Sequence, residues 1–456
     1  MSITAEAEQS VLGAVMLDPE AFDDISGLIR DTDFNNDAHR AMWRAAADLA
    51  ATGQHADIVT LSSRLRERGE LDRAGGMQYI GSLSRSVPSA ANVRQYAEIV
   101  RRQGLRREAA SIASQASKDV MEAEDPVAAL DQAQSAMLAI GDRGQGGPAR
   151  AGDKLGAWMD RLDARYQRGS TITGLPTGYA DVDAMTAGLQ GGDLIILAAR
   201  PSMGKTTFAL NVAEYAAVRD GKSTAAFSLE MDTESLLDRS AASLSGVPLD
   251  RVRRGTLEDG DWSRISRAQE QIAPAPLWID EQAALSAPEI ASRCRRLQRR
   301  EGLGLVVIDY LQLMTPPKAE SRARELALIT GQLKQLAKEL DVPVLLLSQL
   351  NRALEQRQNK RPMMSDLRES GSLEQDADLI GFLYRDEVYH SPSRTPGVAE
   401  LIIAKQRQGA TGTVPLKWRG EVSRFDSLDP DAKAQFWTAQ QEGSGKQQSG
   451  GAFDDL

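Results

Sequence analysis

The sequence predicts an all-α N-terminal domain followed by an α/β domain built on a mostly parallel sheet with helices on both faces. Three observations lead there. Residues 1 to about 140 carry apolar positions at helical spacing and no convincing strand. From about Thr171 short apolar runs alternate with helical patterns, and those runs lack in/out polar alternation. That is how strands buried on both faces read. A glycine-rich stretch separates the two textures. At 456 residues the chain suits two or three domains of about 150 residues each.

In the first part, "AEQSVLGAVML", "AHRAMWRAAADLA" and "VTLSSRLRERGEL" read as amphipathic helices, with Asp57 and Thr60 where an N-cap would precede the third. "ANVRQYAEIVRRQGLRREAASIASQASKDVM" is a long helical pattern. "DPVAALDQAQSAMLAI" is a second, opened by Asp125-Pro126, and the pair suggests an antiparallel hairpin closing a domain over 1–140. "GDRGQGGPARAG", residues 141–152, has five glycines in twelve residues and reads as a flexible linker. The helix after it, 153–168, has an apolar stripe of Leu155, Trp158, Met159, Leu162 and Tyr166. Docking of that stripe on its own domain or on a neighbouring subunit is equally compatible with spacing. The segment 141–170 is thus a linker and linker helix.

The α/β domain, 171–430, carries the buried runs "DLIILAA", "TAAFSLE", "PLWIDE", "LGLVVIDY", "VPVLLLSQ", "DLIGFLY" and "AELIIAK". The last of these, with "TGTVPLKW", suits an antiparallel edge. Residues 431–456 turn polar, and a disordered tail is expected.

Composition excludes several function classes. The net charge of −10 means that any nucleic-acid contact must come from local basic patches. The single cysteine, Cys294, rules out an internal disulfide and any cysteine-rich metal site, and its setting in "SRCRRLQRR" reads as a helix face. The five arginines there suit a solvated face better than a DNA patch. No apolar run approaches the roughly 18 residues of a membrane span, and the acidic N-terminus is not a secretory signal. A cytoplasmic protein with no membrane partner is expected.

Chemistry concentrates in "ARPSMGKT". The phosphate-loop pattern G-x-x-x-x-G-K-[ST] is met except for Ala199 at its first position. The segment follows a buried run and opens a helical pattern, the context such a loop requires. Gly204 lets the backbone approach a phosphate, and amides at a helix N-terminus face it. The ATP-binding residues are then Ser202, Met203, Gly204, Lys205, Thr206 and Thr207, with Lys205 against β/γ oxygens and Thr206 toward Mg²⁺. Asp309 ends a strand where an aspartate reaches Mg²⁺. Glu230 ends another, suited to deprotonating an attacking water, although a carboxylate there also suits helix capping. Gln349 ends a third at the same carboxyl edge, where open α/β sheets bind ligands. These residues read as a nucleoside triphosphatase using Mg²⁺, with ATP the nucleotide that the resemblance below implies.

On these residues, and on "AEQSVLGAVMLDPEAF", "FSLEM", "VVIDYLQLM", "RPMMSDLRESGSLEQDADLIGFLYRDE" and "IIAKQRQGATGTV", the sequence resembles DnaB-type replicative DNA helicases from about residue 4 to 428. The resemblance implies a RecA-like P-loop ATPase domain and a ring homohexamer that unwinds DNA 5′→3′. It implies that Lys405 and Arg407 enter the neighbouring subunit's ATP site; Gln408 and Ala410 depart from the family's more common Asn and Pro. It also implies that Arg368, with Glu369 and Gly371, lines a channel for single-stranded DNA, and it offers "PPKAESRARE" as a second channel loop. Residues 1–140 become a collar on which primase docks, and the linker helix packs on the next subunit. A helicase loader and polymerase clamp-loader machinery are further implied partners. The alternatives are a RecA-like recombination or repair ATPase and a non-catalytic nucleotide-binding scaffold.

Overall fold

The computed structural model describes residues 3–18, 20–86, 92–123, 150–169, 171–317, 319–367 and 371–448, with isolated positions between 125 and 137. It divides into two compact units, Met1–Trp158 and Met159–Leu456.

The first unit has helices α1 (Ile3–Leu17), α2 (Ala21–Ser26), α3 (Asp37–Ala51), α4 (Ile58–Glu67), α5 (Gly76–Ser86) and α6 (Val93–Glu122), and no strand among its described residues. The sequence signals act as expected at α4. Asp57 Oδ1 accepts the Val59 and Thr60 amides at 2.8 Å, while Thr60 Oγ1 accepts the Asp57 amide at 2.9 Å. This reciprocal cap satisfies donors that the first turn leaves open. Val11, Leu12, Phe34, Met42, Leu61, Leu65 and Ile80 form the core. Within it Glu8 accepts the Asn35 amide at 2.6 Å and pairs with His39 Nδ1 at 2.6 Å, and His39 Nε2 meets the Tyr79 hydroxyl at 2.9 Å. The hairpin partner expected at "DPVAALDQAQSAMLAI" lies largely outside the described residues, as does the linker over 141–149. The linker helix, α7, runs Ala151–Arg168, starting two residues earlier than its pattern suggested, and Leu155, Trp158, Met159, Leu162 and Tyr166 of its stripe are all exposed.

The second unit carries α8 (Ala180–Thr186), β1 (Leu194–Ala199), α9 (Lys205–Glu214), β2 (Ser223–Ser228), α10 (Thr233–Ser245), α11 (Leu249–Arg254), α12 (Asp259–Ile272) and β3 (Leu277–Asp280). Then follow α13 (Ala287–Glu301), β4 (Leu303–Asp309), α14 (Arg322–Leu340), β5 (Val344–Gln349), α15 (Gly371–Asp376), β6 (Leu379–Tyr384), β7 (Val398–Gln406), β8 (Gly412–Arg419), β9 (Arg424–Ser427) and α16 (Pro430–Gln448). The strands form one sheet in the order β3-β2-β4-β5-β1-β6-β7-β8-β9. The six from β3 to β6 are parallel, and β7, β8 and β9 extend the sheet antiparallel. Side-chain alternation splits β1 between two cores. Leu194, Ile196 and Ala198 pack with α13 and α14, while Ile195, Leu197 and Ala199 pack with α8 and α9. Both faces are covered, which is why the runs show no polar alternation.

The tail departs from expectation. Instead of disorder from 431, α16 continues to Gln448. Asp429 Oδ1 accepts the Ala432 amide at 2.8 Å, Phe436 is buried, Lys433 pairs with Asp181 at 2.6 Å, and Gln440 donates to Glu400 at 3.1 Å. One apolar anchor and several polar ones hold a helix that composition alone reads as unfolded. Residues 449–456 lie outside the described residues.

A close approach in the first unit yields a test. A Cβ added at Gly104 of α6 would lie 2.7 Å from Asp33 Cα. Gly104→Ala is therefore expected to destabilise the first unit by about 1–3 kcal/mol, as overpacking does. Calorimetry of the full chain should show that unit's transition several degrees lower; an unchanged transition would mean that α6 shifts without strain.

Candidate functional site

The site lies where β1, β2, β4 and β5 end. Residues 200–204 turn from β1 into α9, and this turn needs positive φ at Ser202 (67°) and Gly204 (95°). Ala199 needs none. It is the last strand residue, paired with Gln349 and Leu383, so the missing glycine changes nothing there. A Cβ on Gly204 would lie 2.9 Å from Phe425 Cζ, so only glycine fits this left-handed bend against the aromatic wall. Ser202 O accepts from Arg385 Nη1 at 3.0 Å, and the Arg385 guanidinium stacks 4.5 Å over Trp418. Arg200 is fixed by Leu350 O and Glu355, both at 2.8 Å.

Helix α9 takes its first intrahelical bond from Phe208 N to Gly204 O at 2.9 Å, leaving the amides of Lys205, Thr206 and Thr207 open at its N-terminus. Met203 is different: its amide turns back to Arg200 O at 3.4 Å, and its side chain is buried in the sheet's core. The Thr207 hydroxyl also faces inward, toward Ser423 Oγ at 3.2 Å and Arg239 at 3.3 Å, so only its backbone faces a ligand.

Three predicted residues converge. Thr206 Oγ1 donates to Asp309 Oδ2 at 2.6 Å, and Lys205 Nζ stands 3.5 Å from Asp309 Oδ1 and 4.2 Å over the Tyr310 ring. Burial pushes the Lys205 ammonium below its ordinary value, while Asp309 and Glu230 pull it back. Asp309 Oδ1 is buried with no hydrogen bond. Glu230 is exposed in the turn after β2. Gln349 is half-buried, its amide and carbonyl clasped by the Gln312 side chain at 3.2 Å each.

Lys405 and Arg407 are not at this edge. Antiparallel pairing sets Gln406 beside Leu379, which itself pairs with Ile195 near the start of β1. The loop lies about five strand residues away, roughly 17 Å. Arg368 and Glu369 lie outside the described residues, and Gly371 is the first residue of α15. In the proposed second channel loop, "SRARE" is the capped start of α14, where Ser321 Oγ accepts the Arg324 amide at 3.3 Å. Most of the arginine cluster on α13 is engaged: Arg293 pairs with Asp280, Arg295 with Glu339 at 2.6 Å, and Arg300 with Glu301 at 2.9 Å. Burial drives the Cys294 thiol up to about 12, so it is an inert core group.

Sequence reasoning missed Arg239 and Arg385. Arg239 lies mid-helix, where spacing carries no signal. Its guanidinium is pushed down by burial and by Arg253, and it feels Asp309 and Glu230. Arg385 follows β6 directly, and the strand-end logic that found Gln349 would have found it.

Comparison with known proteins places the chain in a family. The model of the DnaB-like helicase C terminal domain matches residues 174–427, and that of the DnaB-like helicase N terminal domain matches 2–102. The chain belongs to the DnaB-like helicase family. It is 45% identical over 437 residues to the replicative DNA helicase DnaB of Pasteurella multocida, covering 93% of each chain. It is 41% identical over 428 residues to that of Geobacillus stearothermophilus, with 93% of this chain and 94% of the relative covered. A solved DnaB-like replicative helicase, described with its interactions with primase, superposes with a TM-score of 0.76 at 35% identity, covering 93% of this chain and all of that one. A second solved structure, an isolated ATPase domain, matches 60% of this chain and 99% of its own with a TM-score of 0.58 at 40% identity.

Behind the loop, α9 ends in a buried carboxylate. Glu214 Oε2 accepts Ser243 Oγ at 2.9 Å and Asn211 Nδ2 at 3.3 Å, while Oε1 has no partner. Burial pushes this carboxyl from 4.5 to about 7, against the opposing bonds. Below the lower value both folded and unfolded chains hold the proton. Between the two values only the folded chain does, so stability falls as pH rises and then levels off. Glu214→Gln should therefore gain on the parent chain across that window, levelling near roughly 3 kcal/mol. Denaturant midpoints from pH 4.5 to 8 measure this, and a pH-independent difference would be the contrary result.

Proposed function

We propose that this chain is the ATP-driven motor subunit of a hexameric replicative DNA helicase that moves 5′→3′ on one strand and unwinds the duplex ahead. The observation that carries this reading is the division of one chain's residues between opposite sheet edges. Lys205, Thr206 and Asp309 meet at the carboxyl edge, whereas Lys405 and Arg407 stand at the other. A subunit of this kind holds most of one site and part of the next, which favours a ring in which each site lies between neighbours.

The residues present fit ATP with a divalent cation. The cradle at Gly204 admits no side chain, and the buried Asp309 Oδ1 lacks a hydrogen-bond partner beside the Thr206 hydroxyl. Among the described residues no group of three His, Cys, Asp or Glu side chains could hold a metal. Bound there by Thr206 and Asp309, Mg²⁺ would offset negative charge on the β and γ oxygens.

In the chain's own chemistry, the open amides of α9 and Lys205 bind the β and γ phosphates. Glu230 accepts a proton from the water that attacks the γ phosphorus, and Gln349 orients or senses that phosphate. Arg407 of the adjacent subunit, with Lys405, stabilises charge on the transferring group. Backbone and Arg368 at 368–371 grip strand phosphates without reading bases, so binding tolerates sequence. Primase, a helicase loader and polymerase clamp-loader machinery are the expected protein partners, the first on the N-terminal helices. Among the described residues no helix is long and apolar enough to cross a membrane.

Fork unwinding tests this reading. The parent chain should open forks bearing a 5′ single-stranded tail and not those with a 3′ tail, and Lys205→Ala should open neither. Arg407→Ala is expected to bind ATP with hydrolysis reduced by about 10³-fold or more. Mixed with Lys205→Ala under proven subunit exchange, it should regain turnover. Mixtures as inactive as either parent would remove the in-trans assignment.

A further inference from the structure

The edge of the sheet away from the phosphate loop carries a buried carboxylate with no role in the reaction as described. Asp378, between α15 and β6, is 7% exposed. One oxygen accepts the amide of Leu194, the first residue of β1, at 2.8 Å and also takes the Lys334 ammonium of α14. The other oxygen faces Arg407 Nη1 at 3.5 Å, and the Asp378 carbonyl accepts the Arg407 amide at 2.9 Å. Arg407 Nη2 then donates to Gln375 O at 2.6 Å, while Lys405 Nζ donates to Ala377 O at 2.8 Å and to Glu374 O. These are the carbonyls at the C-terminal end of α15, which lack intrahelical partners and favour cations.

Pairing with Lys334 alone does not explain this arrangement, because Lys334 also reaches Gly192 O at 2.7 Å and Asp193 at 3.8 Å. What Asp378 adds is a junction. Through Leu194 it holds the start of the strand whose far end becomes its own phosphate loop. Through its carboxylate and carbonyl it holds Arg407. It also ends the segment that begins at the proposed DNA loop, eight residues from Ser370.

We propose that Asp378 is a positioning residue for the arginine given to the neighbouring site. It keeps Arg407 and Lys405 in register with β1 and α15, so a displacement of either element moves the pair. This rests on Lys405 and Arg407 acting in trans, as argued above. Because the junction lies in the donor subunit, a defect at Asp378 falls on the neighbour's site and leaves the carrier's own loop intact.

Asp378→Asn keeps the shape and removes the charge. In intact rings, kcat for ATP should fall on the order of 10- to 100-fold, the scale of a displaced reacting group, with nucleotide affinity changed less than about twofold. Mixed with Lys205→Ala subunits, whose Asp378 and Arg407 are intact, it should regain turnover. A merely structural defect acting through Leu194 on the carrier's own loop would not be rescued. Arg407→Ala in the same mixture separates the two ideas. Rescue of Arg407→Ala without rescue of Asp378→Asn overturns the positioning role alone; failure of both overturns the in-trans reading and this proposal with it. Parent-level turnover in Asp378→Asn also overturns it. Should that variant not form rings, Asp378→Glu keeps the charge on a longer arm. It should show intermediate kcat with the same rescue, and an unrescued Glu variant is equally fatal.

Discussion

The hydrogen bond from Thr206 Oγ1 to Asp309 Oδ2, 2.6 Å long, joins residues on elements that are not neighbours. Thr206 opens the helix that follows β1; Asp309 ends β4, and β5 lies between them in the sheet. For the two to meet, β1, β5 and β4 must run parallel and end within about two residues of one another. The register supplies this, with Ala199 beside Gln349 and Ile308 beside Leu346. That register is held by side chains packed on both faces of the sheet. A slip of one residue would exchange the β1 residues between the two cores and carry the loop out of reach of Asp309. The chemistry therefore depends on ordinary packing several strands wide, and no local motif could establish it alone.

The same polarity separates the two groups of residues proposed to act on the nucleotide. Every residue at the end of a parallel strand arrives at the loop's edge. Beyond β6 the chain reverses, so the end of β7 delivers Lys405 and Arg407 to the opposite edge. No rearrangement of side chains crosses a sheet about five residues long, since even an extended arginine spans less than half of roughly 17 Å. A β7 running parallel would have placed the pair at its own loop. The reversal of direction is thus the structural reason to look for a neighbouring subunit.

What could be read in advance depended on how local the signal was. The strands, the Asp57–Thr60 cap and the Gly204–Lys205–Thr206 start are set by adjacent residues, and they stand where their patterns suggested. Arg239 was invisible because its approach to Thr207, Asp309 and Glu230 comes from how α10 packs. The Trp418 and Phe425 wall behind Gly204 comes from strands more than 200 residues later. The tail was a different kind of miss. Asp429-Pro430 carries the same opening signal as Asp125-Pro126, and the buried Phe436 with the Asp181 and Glu400 contacts holds a helix that its polar composition does not announce.

The protein's charge bears on how such a motor holds its track. At a net charge of −10 its average field repels nucleic acid. The arginines that look most basic in the sequence, on α13, are largely neutralised by Asp280, Glu339 and Glu301. Attraction must therefore be local and summed over copies. Six Arg368 side chains converging in a pore would set six guanidinium groups around one strand where a single subunit offers one, in a field focused by the low-dielectric walls. A single subunit would bind a strand weakly and release it readily, whereas a closed ring would hold it through several weak contacts at once. Such contacts can be broken and remade one at a time. A motor that must step along DNA requires that property, and one strongly basic groove on each subunit would oppose it.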